Sequence, residues 1–432
     1  MADFQKKFSL SCIRSRTDFL HSIKWASLQS TDPYPDHPSL KGILFAMHSN
    51  LLPEEYTCKT CGGSFHLRCR LRADRQSWDW TSHSRACDDC ARTSQSLTSG
   101  TVLQGIKAKN FLNFFDCLCM WSFDYPSWII TREAGVWHQQ LNQWEEVFHQ
   151  AVNADLWHYA TSFSLTSTPL KSANHVRKIK KTVMKKHSAT IKRPSASSST
   201  VMKKPSGACK RPAGNKRFKP HSQKKTPDAM SFYKKYKYVV EVDESHLNKL
   251  RSGALTKSCR AETDQVWVWG ATVPGRPERF IFRVLDHPQD AMDGKPRGQA
   301  EILDCLRLLN LQPKTIIVTN GWKATVAAIK DLKKEKGWTN ADLWHEIVTH
   351  SAGEITNANG FTTNHIENRW SLVKRWIRKR EGGRLPSHSN RQRWKCLLNE
   401  YRWRKMHTKG SKHVYVVPLT TTMEAMQRVH QL

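Results

Sequence analysis

Nowhere along the 432 residues do about 18 apolar side chains follow one another, the run that a membrane-spanning helix needs. The greasiest stretch, 111–130, is broken by Asp116, Asp124 and Pro126. The opening MADFQKK has no apolar core of the kind a secretory leader carries, so the expectation is a soluble intracellular protein with no membrane partner. Negative charge is also scarce. Against 69 Lys and Arg stand 37 Asp and Glu, a formal charge of +32. Such an excess predicts a polyanionic partner, most economically nucleic acid. Hydrophobic residues are not lacking. At 38% hydrophobic and 10% aromatic, a chain of this length can fill about two or three cores, which excludes a wholly disordered protein.

The shortage of acid is local. Between Asp155 and Asp228 lie 72 residues with no Asp or Glu and with 18 Lys and Arg, all from Lys171 onward. From 171 to 227 the chain is rich in Lys, Ser, Pro and Thr and almost free of aromatics, so it cannot bury enough apolar surface to offset the entropy of ordering it. This segment is expected to be a disordered basic tether. Inside it, TVMKKHSATIKRP at 182–194 returns as TVMKKPSGACKRP at 200–212, a duplication too short and too polar to be a solenoid unit. The basic pairs at 210–211, 216–217 and 224–225 resemble a bipartite nuclear import signal and equally suit a tether that holds DNA without sequence preference. The localisation they imply is nuclear.

Twelve cysteines in an intracellular chain point to metal ligands or chance thiols before disulfides. Cys58-x2-Cys61 and Cys87-x2-Cys90 stand 25 residues apart, and two such turns each present a pair of thiolates that together complete a tetrahedral zinc site. Strand-like runs at 64–71 and 78–81 between them complete the pattern of a zinc ribbon. With four protein ligands that zinc is structural. Cys69, His66 and His83 are alternative ligands. Beyond the ribbon, 108–120 and 137–151 are apolar at helical spacing, with Pro126 and Gly135 between them, and predict a small helical bundle that either recognises DNA or simply makes a core.

After the tether the pattern changes. Strand-like runs at 238–243, 266–273, 279–285 and 315–319 precede or alternate with helical patterns at 299–309, 322–336, 364–380 and 391–406, which predicts an α/β layer fold. The first strand ends on Asp243, the fourth runs into Asn320-Gly321, and the helix from Asn364 carries Glu367 in its first turn. Oxygen ligands on two strand ends and one helix are what a two-metal nuclease uses, with one cation activating the attacking hydroxyl and the other stabilising the leaving oxygen. Taken singly, Asp243 also suits a turn, and Glu367 suits the reciprocal partner of an Asn-capped helix start.

The strings EVDES, VTNGWKA and TNHIENRWSLVKR resemble the three catalytic blocks of the ISXO2-like (IS1595 and Merlin type) DDE transposases. VWVWGATV fits the strand after the first block, and WTSHSRACDDCARTSQSLTSGTV at 80–102 resembles the end of that family's zinc ribbon. The resemblance implies a ribonuclease H-like catalytic domain and cutting and rejoining of transposon-end DNA with Mg2+ or Mn2+. It also implies a homo-oligomer working on paired DNA ends. Position by position, Asp243 would be the metal-bridging carboxylate, Asn320 stands at the second catalytic position, and Glu367 is the third acid. Asp243 and Glu367 would ligate Mg2+. Lys374 falls where related transposases keep a basic residue on DNA, with Arg375, Arg378 and Lys379 continuing the charge.

This chain departs from the family at Asn320, where TDGW is usual. An amide keeps one carbonyl oxygen and loses a negative charge, so the site should hold hard cations more weakly. Three accounts follow: a domesticated or decayed copy that binds DNA without cutting it, a slow enzyme helped by Glu244 or Asp286, or deamidation at Asn320-Gly321. A zinc-dependent adaptor that uses the domain only as scaffold is a further alternative. On the helix of Glu367, Trp370, Lys374 and Arg378 share its face, beside an apolar stripe of Ile366, Val373 and Ile377. Over 364–408 there are 13 Lys and Arg against 3 Glu, with Trp376, Trp394 and Trp403 interleaved as surfaces for unpaired bases. The expected organisation is an N-terminal helical segment (1–50), a zinc ribbon (51–105), a helical DNA-recognition-like region (106–165), the tether (166–230), the ribonuclease H-like domain (231–410) and a C-terminal tail (411–432).

Overall fold

The structure, a computed structural model, describes residues 16, 38–53, 56–57, 64–72, 75–82, 94–96, 98, 101–160, 235–247, 266–285, 297–349, 355–383, 385–387, 390–408 and 415–429. The tether with its repeat and import-like signal, and Cys58, Cys61, Cys87 and Cys90, lie outside the described residues.

Two sheets are present among the described residues. The smaller is antiparallel in the order β1-β2-β3-β4, built from β1 (Tyr56–Thr57), β2 (Ser64–Arg72), β3 (Arg75–Ser82) and β4 (Ser94–Ser96). It occupies the segment expected to be a ribbon.

The larger sheet has five strands in the order β7-β6-β5-β8-β9, made from β5 (Tyr238–His246), β6 (Trp267–Val273), β7 (Arg276–Val284), β8 (Thr315–Thr319) and β9 (Leu343–Ile347). β5, β6 and β7 form an antiparallel meander, and β8 and β9 continue it in parallel with β5. β8 reads TIIVT and is buried throughout, as a central parallel strand should be. The mixed α/β architecture agrees with the layer fold expected from the sequence.

Both faces of this sheet are covered, and the alternation of side chains along each strand divides the core in two. Val240, Val242, Trp269, Ala271 and Ile281 face α5 (Gln299–Arg307) and α6 (Lys323–Lys336), packing on Ile302, Leu306, Ile329 and Leu332. Val268, Phe280, Phe282 and Val284 face α7 (Asn364–Arg380) and α8 (Arg391–His407), packing on Ile366, Trp370, Val373, Ile377 and Tyr401.

The N-terminal helices join this layer directly. α1 (Pro38–His48), α2 (Phe111–Ser122), α3 (Ser127–Ala134) and α4 (His138–Ala160) gather around Phe114, Phe115, Trp121 and Phe148. Their core is completed by Trp403 from α8 and by Leu419, Met423 and Met426 from a last helix, α9 (Leu419–Arg428). Part of the expected tail is therefore a packed helix.

Ion pairs reinforce the same junction. Asp124 accepts from Trp376 Nε1 at 2.8 Å and from Lys379 Nζ at 2.7 Å. Asp155 on α4 accepts from Trp403 Nε1 at 2.7 Å and meets His407 Nε2 at 2.9 Å. Glu145 contacts Arg380 and Arg393, while Glu400 contacts Arg404 and His149. Charges buried in this way must be paired to be tolerated.

Candidate active site

The register of the sheet explains why Asp243 and Asn320 meet. In the parallel pair of β5 and β8, Glu241 lies opposite Val318, so two residues further on Asp243 is level with Asn320, just past the end of β8. The carboxyl ends of parallel strands are where α/β sheets open to ligands. Asn320 Nδ2 donates to Asp243 Oδ1 at 2.9 Å. The other half of the amide is used locally, since Asn320 Oδ1 accepts the backbone N–H of Trp322 at 3.1 Å. Gly321 makes this turn with φ +80°, and a Cβ there would stand 2.7 Å from Ile347 Cγ2, so the glycine is dictated by backbone geometry.

The second oxygen of Asp243 is held from α7, where Trp370 Nε1 donates to Oδ2 at 3.0 Å. Trp370 reaches it by lying across Gly270 of β6, which is itself the cross-strand partner of Asp243. A Cβ on Gly270 would stand 2.6 Å from Trp370 Cη2 and 2.8 Å from Phe282 Cδ1. The glycine in VWVWGATV therefore serves the site.

Glu367 lies in the first turn of α7, exposed to solvent, and its Oε1 accepts from Thr363 Oγ1 at 3.2 Å. The helix cap falls on Thr363 rather than Asn364, so the capping box centred on Asn364 does not form. Burial, the neighbouring Glu244 and then Glu367 push the Asp243 carboxyl up to about 7, against the lowering pull of the Trp370 hydrogen bond. Burial also raises Glu244, which Thr325 Oγ1 holds with a hydrogen bond of 2.6 Å.

Sequence reasoning passed over Glu241. Its buried carboxylate accepts the backbone N–H groups of His365 at 2.9 Å and Ile366 at 3.0 Å, and meets His365 Nδ1 at 2.6 Å. An acid at a helix N-terminus satisfies orphan N–H groups and complements the helix dipole. Glu241 thereby fixes the start of α7 to the central strand and sets where Glu367 stands. The visible signal was its spacing of two residues before Asp243, which puts both acids on one face of β5.

The four basic residues divide. Lys374 donates to Ser245 Oγ at 3.1 Å beside the site, and Lys379 is tied to Asp124. Arg375 and Arg378 are exposed. The aromatic residues interleaved with these charges behave differently from the expectation. Trp376, Trp394 and Trp403 are core residues, so none is a surface for bases, and Arg380, Arg404 and Lys405 are buried with them. The density of charge over 364–408 comes partly from internal pairing.

A divalent cation requires oxygen ligands turned toward it. Here both oxygens of Asp243 already accept N–H bonds, and the amide oxygen of Asn320 faces Trp322 N–H. Among the described residues no group of three or more His, Cys, Asp or Glu side chains is gathered to hold a metal ion. The residues present do not fit a resident pair of cations. Instead the Asn320 N–H groups supply, beside Asp243, the positive charge density that a cation would bring.

What fold and site define together is an α/β protein with acids gathered where its central parallel strand pair ends. No protein-family model matches the chain, and no curated protein or solved structure matches it significantly. No helix among the described residues is long and apolar enough to cross a membrane.

Proposed function

We propose that the chain is a DNA-binding protein of the ISXO2-like DDE transposase type, with the strand-cleaving chemistry of that type withheld by the amide at position 320. The observation that carries this reading is the convergence on one sheet end of the residues from all three sequence blocks. Asp243 and Asn320 are hydrogen-bonded, and Glu367 is close enough to raise the Asp243 carboxyl. A central acid-bearing strand in a mixed five-stranded sheet, with helices on both faces, supports a ribonuclease H-like scaffold. The net charge of +32 and the exposed Arg375 and Arg378 suit a phosphate backbone.

Within this reading the ribbon carries a structural Zn2+ on Cys58, Cys61, Cys87 and Cys90, and the protein works in the nucleus as a homo-oligomer on DNA ends. Mg2+ or Mn2+ belongs to the parent chemistry and returns when position 320 regains a carboxylate. As encoded, Asp243 is held near half-protonation at neutral pH and positioned by Asn320 and Trp370. In this reading DNA binds over the end of the sheet without activation of a hydroxyl.

Fluorescence anisotropy with duplex DNA over a salt series tests the binding. The affinity falls as salt rises, and Arg375→Glu with Arg378→Glu weakens binding at every salt and flattens the slope. Affinity that ignores both salt and these charges refutes the reading.

A further inference from the structure

On the α5–α6 face of the sheet, opposite the face that bears Asp243, runs a column of flat side chains that the chemistry above does not use. His246, at the end of β5, lies against Trp267, at the start of β6, with ring centroids 5.0 Å apart and planes inclined by 36°. On Trp267 sits the guanidinium of Arg297, 3.6 Å from the ring centroid, and the same guanidinium lies 4.3 Å from the centroid of Trp322. The order His246, Trp267, Arg297, Trp322 thus builds a continuous stack, and its last member is 41% exposed. The other described tryptophans of this domain are buried or half-buried, so an open indole two residues from Asn320 leaves apolar area to a partner.

The column is held at a cost. Arg297 has φ +62°, a left-handed backbone conformation that a long side chain adopts only where the surroundings impose it. Arg297 also acts on Glu244, whose carboxyl it draws downward against burial. A guanidinium clamped between two indoles keeps its planar edge fixed while its charge polarises both rings. Next to Trp322 the exposed Lys323 adds a second cation. A flat π-surface backed by one cation and flanked by another suits a planar ring that carries a phosphate. An aliphatic side chain would gain nothing from the charge.

We propose that Trp322 is a stacking platform for one unpaired base of bound DNA, extending the His246–Trp267–Arg297 column by a further layer and seating that nucleotide at the same end of the sheet as Asn320 and Asp243. This rests on the DNA-binding reading above. Base–aromatic stacking is indifferent to which base is present, because every base has a π-face, so the platform recognises a frayed or single-stranded end rather than a sequence. It also assigns a role to a tryptophan that the fold does not need for its core.

The test uses the full chain, a blunt duplex and the same duplex with a short single-stranded extension containing a fluorescent adenine analogue. Wild-type protein quenches the analogue and binds the extended DNA more tightly than the blunt one. Trp322→Ala loses roughly tenfold in affinity for the extended DNA and abolishes quenching while leaving blunt-duplex binding unchanged, and Trp322→Phe restores most of both. Equal weakening on both DNAs, or no change on either, overturns the platform and leaves DNA binding intact. Should Trp322→Ala fail to fold, Trp322→Leu, which fills the same space without a π-face, takes its place, and quenching by Trp322→Leu equal to wild type, or a wild type without quenching, overturns the proposal. Failure of wild type to bind either DNA overturns both readings.

Discussion

Replacing Asn320 by Asp restores the third carboxylate and exposes how the present site is balanced. In the wild type, an N–H of Asn320 stands 2.9 Å from Asp243 Oδ1. Asn320→Asp puts a carboxylate oxygen in its place. At an effective dielectric of about 20, two unit charges about 4 Å apart repel by about 4 kcal/mol, and the lost hydrogen bond to a charged group adds about 2 kcal/mol. Proton uptake limits the total, because Asp243 already titrates at about 7 and holding one proton on the pair near pH 7.5 costs only about 1 kcal/mol more than in the wild type. A net loss of about 3 kcal/mol is expected, which for a domain of this size lowers Tm by roughly 10 °C in the absence of divalent ions. Mn2+ at about 100 times its Kd should return about 2.7 kcal/mol to the variant. The wild type should shift hardly at all. The assay is thermal denaturation with chelator or with Mn2+, repeated near pH 5, where the shared proton is retained and the difference narrows. If Asn320→Asp melts like wild type in chelator, or if Mn2+ stabilises both proteins equally, the reasoning is wrong.

Other outcomes follow from the same geometry. His149 is fully buried against Glu400. Burial alone would lower its pKa, but hydrogen bonds to Cys396 and Glu400 outweigh that and raise it to about 9. Since the folded value exceeds the unfolded one, this stabilisation is complete below about pH 6.5 and is lost as pH rises through about 9, with a ceiling of about 3 kcal/mol. In urea denaturation across that window, His149→Gln should flatten the decline. Gly270→Val drives a side chain into Trp370 and should cost about 1–3 kcal/mol while breaking the Trp370–Asp243 hydrogen bond, visible as a lower Tm and a further rise of the Asp243 pKa. Cys87→Ser should release zinc and melt the N-terminal region, and unchanged zinc content with unchanged melting would remove the metal from the ribbon.

Much of the layer fold was legible because it is written locally. The five residues of β8 are all suited to a buried strand, and α7 has an apolar stripe at helical spacing from Ile366 to Ile377. The approach of Asp243 to Asn320 was legible only as an order of blocks, since it depends on the register of two strands 77 residues apart. Glu241 was missed for the same reason, as its role comes from a helix more than a hundred residues downstream. β9 and α9 were missed because LWHEI alternates weakly and LTTTMEAMQR opens on threonines, so tertiary packing on β8 and α4 decides both. The tryptophans of α8 misled by composition. Beside many cations they read as a nucleic-acid surface, whereas Trp403 donates to Asp155 in the core and Arg404 pairs with Glu400 beneath it. Trp322, at the start of α6, is the tryptophan of the five-stranded sheet domain that is exposed among the described residues.

Nicking of supercoiled plasmid DNA in Mn2+ tests the central claim most directly. The account predicts no Mn2+-dependent nicking by the wild type, nicking by Asn320→Asp, and its loss again when Asp243→Ala or Glu367→Ala is added. Wild-type nicking that depends on Asp243 would show that the amide does not withhold the chemistry. Nicking by Asn320→Asp that survives both additions would place the chemistry elsewhere, and no nicking by Asn320→Asp at all would remove the transposase-type site from this fold.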